Sequence, residues 1–381
     1  MKITLFENSE IADLFPIAMT RHIAEIRWGK NTIQEKWAHF FDEVALHTDR
    51  EYLGFQAERS GIWVLGNIVP NVDLVEAIKQ LMPGQSLVQG TELLAHHIKT
   101  NVSNEAIAFS KPIVKLKQLS DLFSLLGKMI VDDFDYLDSS TFHHQVPAGV
   151  MIVGDTAHLM IAADAKIQPG SILNCSEGPI IIDAQAELME GSMVRGPFYL
   201  GKKSTLKMGS KVYGPTAIGP ECKVGGEVSN VLFMGYSNKA HDGFLGNAVV
   251  GEWCNFGADS NCSNLKNNYS MVKQYSYATG QEENTGLTFC GVVMGDHSKC
   301  GINTMFNTGT VVGVAANIFG GGFPNKHIPS FSWGGADDLV PYDFEKGIET
   351  IRAVKKRRGL ELSDREWHVL SEIHRLFGYK K

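Results

Sequence analysis

A polar segment in the second half of the chain holds residues well suited to acid–base chemistry. It spans residues 229–243 and places Lys239, His241 and Asp242 within four positions. A neutral imidazole accepts a proton near pH 7, so His241 is a candidate general base. Lys239 could hold an anionic substrate group. The alternative interpretation is that His241 is structural or solvated, as a lone loop histidine commonly is.

This segment interrupts a regular recurrence of apolar residues. An anchor recurs every six positions at Ile161, Ile167 and Leu173, at Ile182, Leu188, Val194, Leu200, Leu206, Val212, Ile218 and Val224, at Phe244, Val250, Phe256 and Cys262, and at Met294, Cys300, Phe306, Val312 and Ile318. A small residue mostly follows four positions later, as at Ala186 and Ser204. A period of six matches neither the helix (about 3.6) nor the strand (about 2). It predicts a triangular coil of short parallel strands with inward anchors and about eighteen residues per coil.

Stacked coils place positions about eighteen apart on one edge of the prism. His241 and Asp259 differ by eighteen, so the polar cluster that contains Asn255, Asn264 and Lys266 is expected near His241. Because the period lapses over 229–243, this segment is predicted to leave the prism as a loop or a skipped turn. His241 with Lys239 and Lys266 would then supply a base and two cations.

The period resembles the hexapeptide repeat of left-handed parallel β-helices. Most members of that class are acyltransferases that use acetyl- or acyl-CoA, and they usually form trimers. The resemblance therefore implies a homotrimer with sites between neighbouring prisms. Transfer of an acetyl group to an amine would require a base for the amine proton, a donor for the oxyanion and positioning of the substrate.

The segment 237–246, followed by Asn255-Phe256-Gly257-Ala258 and Cys262-Ser263-Asn264, resembles the acetyltransferase half of the bifunctional GlmU family. The resemblance makes His241 the catalytic histidine and Asn255 and Asn264 substrate contacts. The predicted substrate site is Lys239, Asn238, Asn255, Asn264 and Lys266. Phe244 and Leu265 replace tyrosines of the usual motif, and Asp259 replaces a glycine. The whole chain resembles a Bacteroidetes-type branch of GlmU-like proteins, in segments such as 225–230, 263–269 and 301–310.

Glycine marks the domain organisation. Of 39 glycines, 8 lie in residues 1–150, 26 in 151–325 and 5 in 326–381. We therefore predict an α/β domain at 1–150, the β-helix at 151–335 and a helical tail at 336–381, with 139–149 as a connector. In the first part, strands are predicted at 1–6 and 61–66 and helices at 73–81 and 120–130.

Residues 14–21 and 27–33 resemble the second signature of sugar-nucleotide pyrophosphorylases, which makes Arg21, Lys30 and Lys36 weak candidates for binding a nucleotide phosphate. Three expected parts are missing. The loop 7–10 has no glycine and carries Glu7 and Glu10, Ile23 stands where the signature has lysine, and Asn67 stands where it has a metal-binding aspartate. The domain is therefore either a degenerate packing unit or an active transferase that would need Mg²⁺.

The composition limits which partners the protein is expected to bind. The net charge is −7, with 35 Lys+Arg against 42 Asp+Glu. The chain therefore has no excess of basic residues that could neutralise the phosphates of a nucleic acid. The sequence has no apolar run long enough to predict a membrane span, and its first residues do not resemble a secretory signal. A cytoplasmic location is therefore expected. The six cysteines form no C-x-x-C pair, which predicts buried reduced thiols and no metal site.

The tail shows helical apolar spacing on both sides of Gly359, with a capping box at 363–366. The basic run 355–358 is interpreted either as a solvated helix end or as a contact to the phosphates of CoA.

Three functions follow from these observations. The first is an acetyl-CoA-dependent N-acetyltransferase acting on an amino-sugar 1-phosphate such as glucosamine 1-phosphate, in the biosynthesis of a sugar nucleotide. The second is a sugar-1-phosphate nucleotidyltransferase using UTP or dTTP in the N-terminal domain. The third is a non-catalytic protein that binds a sugar nucleotide.

Overall fold

The computed structural model describes residues 1–99, 105–137, 142–143 and 146–380. Part of the predicted connector at 139–149 lies outside these residues. The N-terminal region contains a six-stranded sheet whose order is Glu43–His47, Lys2–Phe6, Gly61–Leu65, Glu92–Ile98, Gln85–Gln89 and Glu105–Ala108. The first three strands are parallel, and Glu92–Ile98 is antiparallel to both of its neighbours. A small antiparallel pair joins Ile68–Val69 to Val114–Lys115.

Four α-helices accompany this sheet: α1 Ile33–Ala38, α2 Val72–Lys79, α3 Asp121–Ser124 and α4 Leu126–Asp135. Short 3₁₀ helices occur at Ser9–Leu14, Ile23–Glu25 and Glu51–Leu53. Thr32 begins α1 with a reciprocal capping box to Glu35. The single helix expected at 120–130 is instead divided at Leu125 and continues to Asp135.

A three-sided parallel β-helix follows, which confirms the predicted fold, and we name its faces A, B and C in chain order. Face A consists of Met151–Val153, Ile172–Asn174, Met193–Arg195, Lys211–Tyr213, the first parts of Glu227–Gly235 and Phe244–Glu252, Asn261–Cys262 and Met305–Phe306. Face B consists of Leu159–Ala162, Ile180–Ile182, Phe198–Leu200, Thr216–Ile218, the second parts of Glu227–Gly235 and Phe244–Glu252, Val293–Met294, Val311–Val312 and His327–Ile328. Face C consists of Lys166–Ile167, Glu187–Leu188, Thr205–Leu206, Lys223–Val224, Asn238–Lys239, Asn255–Phe256, Lys299–Cys300, Asn317–Ile318 and Ser332–Gly334.

Antiparallel strands close the two ends of the β-helix and extend one loop. Phe142–His143 pairs with Leu159–Ala162, and Leu339–Pro341 pairs with Ser332–Gly334. A 3₁₀ turn lies at Thr156–His158. The chain leaves the coil after Cys262 and returns at Val293, and this insertion forms the hairpin Lys273–Ser276 with Gln281–Asn284.

The interior of the β-helix is a column of the predicted anchors. Those from Leu173 to Val224 are buried, and the small residues beside them bond the neighbouring coil. Ser204 Oγ donates to the Gly219 carbonyl at 2.7 Å and accepts from the Cys222 amide at 2.8 Å. A larger residue there would lose both bonds and clash with the next coil, which explains why the position is small.

Of the two alternatives for 229–243, the loop is wrong. This segment forms the strands Glu227–Gly235 and Asn238–Lys239, and its coil is shorter than eighteen residues. Val228 pairs with Val212, sixteen positions earlier, and Lys239 pairs with Val224, fifteen positions earlier. The strict six-residue count therefore slips, and Leu245 rather than Phe244 is the buried anchor of the next coil.

The N-terminal region packs on face B. The outward side chains Ile181, Tyr199, Ala217, Leu232 and Val249 share one apolar core with it. The tail helices α5 Phe344–Lys356 and α6 Asp364–Phe377 add Ile348, Ile351, Val369, Leu370 and Ile373 to the same core. Neither tail helix, nor any other helix among the residues described, is long and apolar enough to cross a membrane. Faces A and C remain the open sides of the prism.

Candidate functional site

His241 lies on an exposed turn at the corner between faces C and A. Its ring has no hydrogen-bond partner among the described residues. The amide of Asp259 donates to the Asp242 carbonyl at 3.1 Å, so the turn that carries His241 stacks directly on the next one. This contact places Asp259 beside the turn of His241, at a spacing of seventeen rather than eighteen residues, but Asn264 and Lys266 of the same polar cluster lie elsewhere.

Lys239 does not reach the surface beside His241. It occupies an interior anchor position and is 2% exposed, and its Nζ donates to the carbonyls of Gly225 at 3.0 Å and His241 at 2.8 Å. Burial lowers the pKa of Lys239 to about 8, against the opposing effect of the Asp242 charge. The amine therefore fixes the turn of His241 from inside and is not available to a substrate phosphate.

On face C, Asn238 and Asn255 are ladder neighbours and point outward. Asn238 Oδ1 accepts from Arg358 Nη2 at 3.3 Å, while Asn255 is exposed. The next coil places Lys299 beside Asn255 in the same row. This row lies toward the edge of face C that adjoins face B, because Lys299 Nζ donates to the carbonyl of His297 at 2.8 Å.

Asn264 lies at the other edge of face A and belongs to a column of asparagines. Register pairs the neighbours of Asn230 with those of Asn247, and Asn264 Nδ2 donates to Asn247 Oδ1 at 2.8 Å. The sequence reasoning missed this column, although its seventeen-residue spacing is visible in the sequence. Phe244 lies beside the same column. Its ring and Asn264 Nδ2 both contact Gly246, since a Cβ atom added to Gly246 would lie 2.5 Å from the ring and 2.7 Å from Nδ2.

Lys266 belongs to the inserted loop, where its Nζ donates to the Met271 carbonyl at 2.7 Å. The expected pair of cations beside His241 is therefore not formed by Lys239 and Lys266. Lys211 on face A and Lys223 on face C are exposed and form no ion pair within the described part of the chain. Lys223 is the ladder neighbour of Asn238.

The three candidate phosphate ligands of the N-terminal region all serve internal ion pairs. Arg21 is buried against Asp296 and Glu252 of the β-helix, and these carboxylates raise its pKa despite the opposing effect of burial. Lys30 Nζ lies 2.9 Å from Asp183 Oδ2. Lys36 pairs with Asp133 of α4, and burial lowers its pKa overall. These contacts leave none of the three free for a nucleotide.

The carboxyl end of the N-terminal sheet contains a cavity of about 640 Å³ where a nucleotide would be expected. Lys115 there pairs with both Glu10 and Glu92. Glu7 is held by Arg50, whose Nε donates to Glu7 Oε2 at 3.0 Å. Carboxylates thus stand where backbone amides would be needed to bind phosphate.

These residues do not fit Mg²⁺. Asn67 is buried, its Nδ2 donates to the Leu116 carbonyl at 2.9 Å, and its Oδ1 is a single neutral ligand atom. Within the described residues, no group of three His, Cys, Asp or Glu side chains is placed to hold a metal ion. Mg²⁺ prefers carboxylates and phosphates, and of the nearby carboxylates Glu7 is paired with Arg50, and Glu10 and Glu92 are paired with Lys115.

The cysteines and the basic run are accounted for by packing. All six thiols are free and buried, as predicted, and burial raises the pKa of Cys175 to about 11 and that of Cys222 to about 12.

Lys355 pairs with Glu366 and lies over the Trp253 ring at 5.3 Å. Arg358 Nη1 lies 3.3 Å from Glu221 Oε2. The run therefore anchors the tail to the β-helix, which neither interpretation of the sequence had included.

Known proteins resemble this chain in sequence and in structure. Residues 3–141 match the model of a sugar nucleotidyl transferase family. The chain is 30% identical over 154 residues to a bifunctional sugar-1-phosphate nucleotidylyltransferase/acetyltransferase of Sulfurisphaera tokodaii, which covers 40% of this chain and 38% of the relative. It is 26% identical over 259 residues to the bifunctional protein GlmU of Synechococcus elongatus, which covers 59% of this chain and 50% of the relative.

Similar solved structures include the polysialic acid-specific acetyltransferase NeuO, at 11% identity and a TM-score of 0.28, over 51% of this chain and 82% of that one. A UDP-N-acetylglucosamine acyltransferase from Campylobacter jejuni matches at 12% identity and a TM-score of 0.24, over 55% and 94%. The chain thus joins a sugar nucleotidyltransferase-like region to a hexapeptide-repeat β-helix and has homologues among the bifunctional GlmU proteins. The matches span half or less of the length of those curated relatives.

Proposed function

We propose that the β-helix is an acetyl-CoA-dependent N-acetyltransferase acting on an amino-sugar 1-phosphate, with His241 as general base. The observation that carries the proposal is the position of His241, which is exposed, without a partner among the described residues and fixed by a stacked turn between two polar rows. The homologues are described as nucleotidyltransferases and acetyltransferases, which supports a transferase that acts on a sugar phosphate.

The reaction needs little more than a base and binding groups. Acetyl-CoA supplies the acetyl group as a thioester, whose carbon–sulfur bond breaks as the carbon–nitrogen bond forms. His241 accepts the proton that the substrate amine loses as it attacks, and the leaving thiolate takes up a proton in turn. Asn255 and Asn264 are proposed to bind the sugar, the latter through its Oδ1, since its Nδ2 is engaged by Asn247.

The corner fits anionic ligands. Lys223 lies one coil before the turn of His241 and Lys211 lies two coils before it, and both are exposed without ion pairs among the described residues. We assign them, in place of Lys239, to the phosphates of the sugar and of CoA.

The site is proposed to be completed by a homotrimer. In a single chain, His241 lines neither of two cavities, of about 640 Å³ and about 460 Å³. Asn255 and Asn264 also lie on different faces of one chain. Face B is covered by the N-terminal region, so three-fold packing would use faces A and C. Face A exposes Met193, Tyr213 and Met305, which are 41%, 44% and 37% exposed, and such a surface favours association.

A second function, nucleotidyl transfer by the N-terminal region, is favoured by the family match over residues 3–141. The ion pairs of Arg21, Lys30 and Lys36 and the unsuitable metal position argue against it. We therefore propose that this region mainly stabilises the β-helix. A thiol-release assay with acetyl-CoA and a panel of amino-sugar phosphates tests the first function, and pyrophosphate release from UTP or dTTP tests the second.

A further inference from the structure

A cavity of about 460 Å³ lies where the N-terminal region, the β-helix and the tail meet. Arg21 lines it from the N-terminal region, Glu252 and His297 from the corner between faces B and C, and Arg365 from the start of α6. The turn of His241 lies at a different corner of the prism, between faces C and A, so the cavity is separate from it. All three parts of the chain therefore contribute to one partly open site that the proposed acetyl transfer does not use.

The wall from the β-helix is a rigid stack of rings. Tyr236, Trp253 and His297 follow one another at this corner, each with a positive φ. The Tyr236 and Trp253 rings are parallel at a centroid distance of 4.3 Å, and the Trp253 and His297 rings are parallel at 6.2 Å. The amide of His297 donates to the Glu252 carbonyl at 2.8 Å, which fixes the two side chains side by side.

His297 is an unpaired polar group in this wall. It is 8% exposed, and its Nδ1 has no hydrogen-bond partner among the described residues. Burial lowers its pKa, and the nearby Lys299, Lys355 and Arg21 act in the same direction. The imidazole is therefore neutral and has one hydrogen-bond donor and one acceptor. A buried donor or acceptor without a partner costs free energy, and a bound ligand would remove that cost.

Two charged side chains of the cavity also have spare hydrogen-bonding capacity. The Glu252 carboxylate is 3.5 Å from Arg21 Nη2, which already donates to Asp296. Arg365 donates through Nε to the Leu53 carbonyl at 3.2 Å and stacks on Phe55 at 4.2 Å, and its other N–H groups have no partner within the described residues. A carboxylate, a neutral imidazole and a guanidinium together match the hydroxyl groups of a polyol.

The charges around the cavity favour an amine over phosphate. The cavity is lined by five carboxylates, those of Glu25, Glu35, Glu252, Asp296 and Glu366. Four cations face them: Arg21 and Arg365 line the cavity, and Arg27 and Lys355 pair with Glu35 and Glu366. The remaining excess of negative charge is small, and it favours a bound amine over an anion.

We propose that this cavity binds a small polyhydroxylated amine, namely an amino sugar without phosphate. Glu252 receives the ammonium group, and His297 and Arg365 bind the hydroxyls. Because the ligand contacts the N-terminal region, the β-helix and α6 together, its binding stabilises their packing against one another. The site thus links the level of an unphosphorylated sugar to the stability of the assembled chain.

Calorimetric titration of the full chain tests this, with glucosamine, glucose and inorganic phosphate as ligands. Glucosamine is expected to bind once per chain, glucose at least tenfold more weakly, and phosphate not at all. Glu252→Gln and Arg365→Gln should each weaken glucosamine binding at least tenfold. Glu190→Gln is the matched control, because Glu190 is an exposed glutamate of the same β-helix that does not line the cavity.

Hydrogen exchange locates the site independently, and glucosamine should slow exchange at 252–253, 296–297 and 363–370. His241→Ala should retain glucosamine binding, which separates this site from the acetyltransferase site. The proposal is overturned if the wild type does not bind glucosamine in the millimolar range. It is equally overturned if both cavity variants bind like the control, or if His241→Ala alone abolishes binding.

Discussion

The guanidinium of Arg21 and the carboxylate of Asp296 form a buried ion pair that joins residues 275 positions apart. Thr20 Oγ1 donates to the same carboxylate at 2.6 Å. A residue whose sequence context resembles a phosphate-binding signature therefore ties the N-terminal region to the corner of the β-helix. The pair explains why the two parts share one apolar core rather than being joined by a free linker.

Replacing Arg21 by Met should destabilise the chain by about 3–5 kcal/mol, because Asp296 is left buried without its cation. The free energy of unfolding from denaturant titration measures the effect. Arg195→Met is the matched control, since Arg195 and Glu177 form an exposed pair that should contribute less than about 1 kcal/mol. Equal stabilities of the two variants would refute the structural role of Arg21.

Lys239 predicts a specific pH dependence of stability. Its folded pKa of about 8 lies below the value of an unfolded lysine, so the unfolded chain binds more protons between these two pKa values. The contribution of Lys239 to stability should therefore rise as the pH increases from about 8 to about 10.4, by up to about 3 kcal/mol.

Comparison of the wild type with Lys239→Met isolates this effect from other titrating groups. The difference in unfolding free energy between the two proteins should change in favour of the wild type over that pH range. A constant difference would show that Lys239 is not buried as the structure places it.

The sequence predicted the β-helix well because its anchors repeat locally, and each anchor from Leu173 to Val224 is buried as expected. It failed over 229–243 because a shorter coil shifts the register, so Leu245 replaces Phe244 and Lys239 enters the interior. The pairs of Arg21 with Asp296 and Lys30 with Asp183 were not predictable, since each joins residues that only the tertiary fold brings together. His241 could be proposed from the sequence because its residue type and its place at a break in the period were both visible.

The N-terminal region should not transfer nucleotides. Incubation with UTP or dTTP, Mg²⁺ and a sugar 1-phosphate should release pyrophosphate no faster than a reaction without protein. The reason is that Arg21, Lys30 and Lys36 are paired and Glu7 and Glu10 occupy the phosphate position. Robust Mg²⁺-dependent release by the purified chain would contradict this.

The chain should sediment at three times its mass of 41.9 kDa. Introducing a charge on the exposed apolar side chains of face A, with Met193→Glu and Tyr213→Glu together, should dissociate the trimer. Met82→Glu is the control, because Met82 is 63% exposed but lies on the N-terminal region. A wild type that remains monomeric at micromolar concentration would exclude the trimer.

The kinetics of His241→Ala test whether His241 is the general base of acetyl transfer. Thiol release with acetyl-CoA and glucosamine 1-phosphate is compared with that of His368→Ala, a matched control because His368 is exposed on α6, far from the corner. The kcat of His241→Ala should fall by about 10²–10⁴-fold, with unchanged assembly and melting temperature, while His368→Ala should keep wild-type kcat. A His241→Ala protein with near-wild-type kcat at saturating substrate would show that His241 is not the general base.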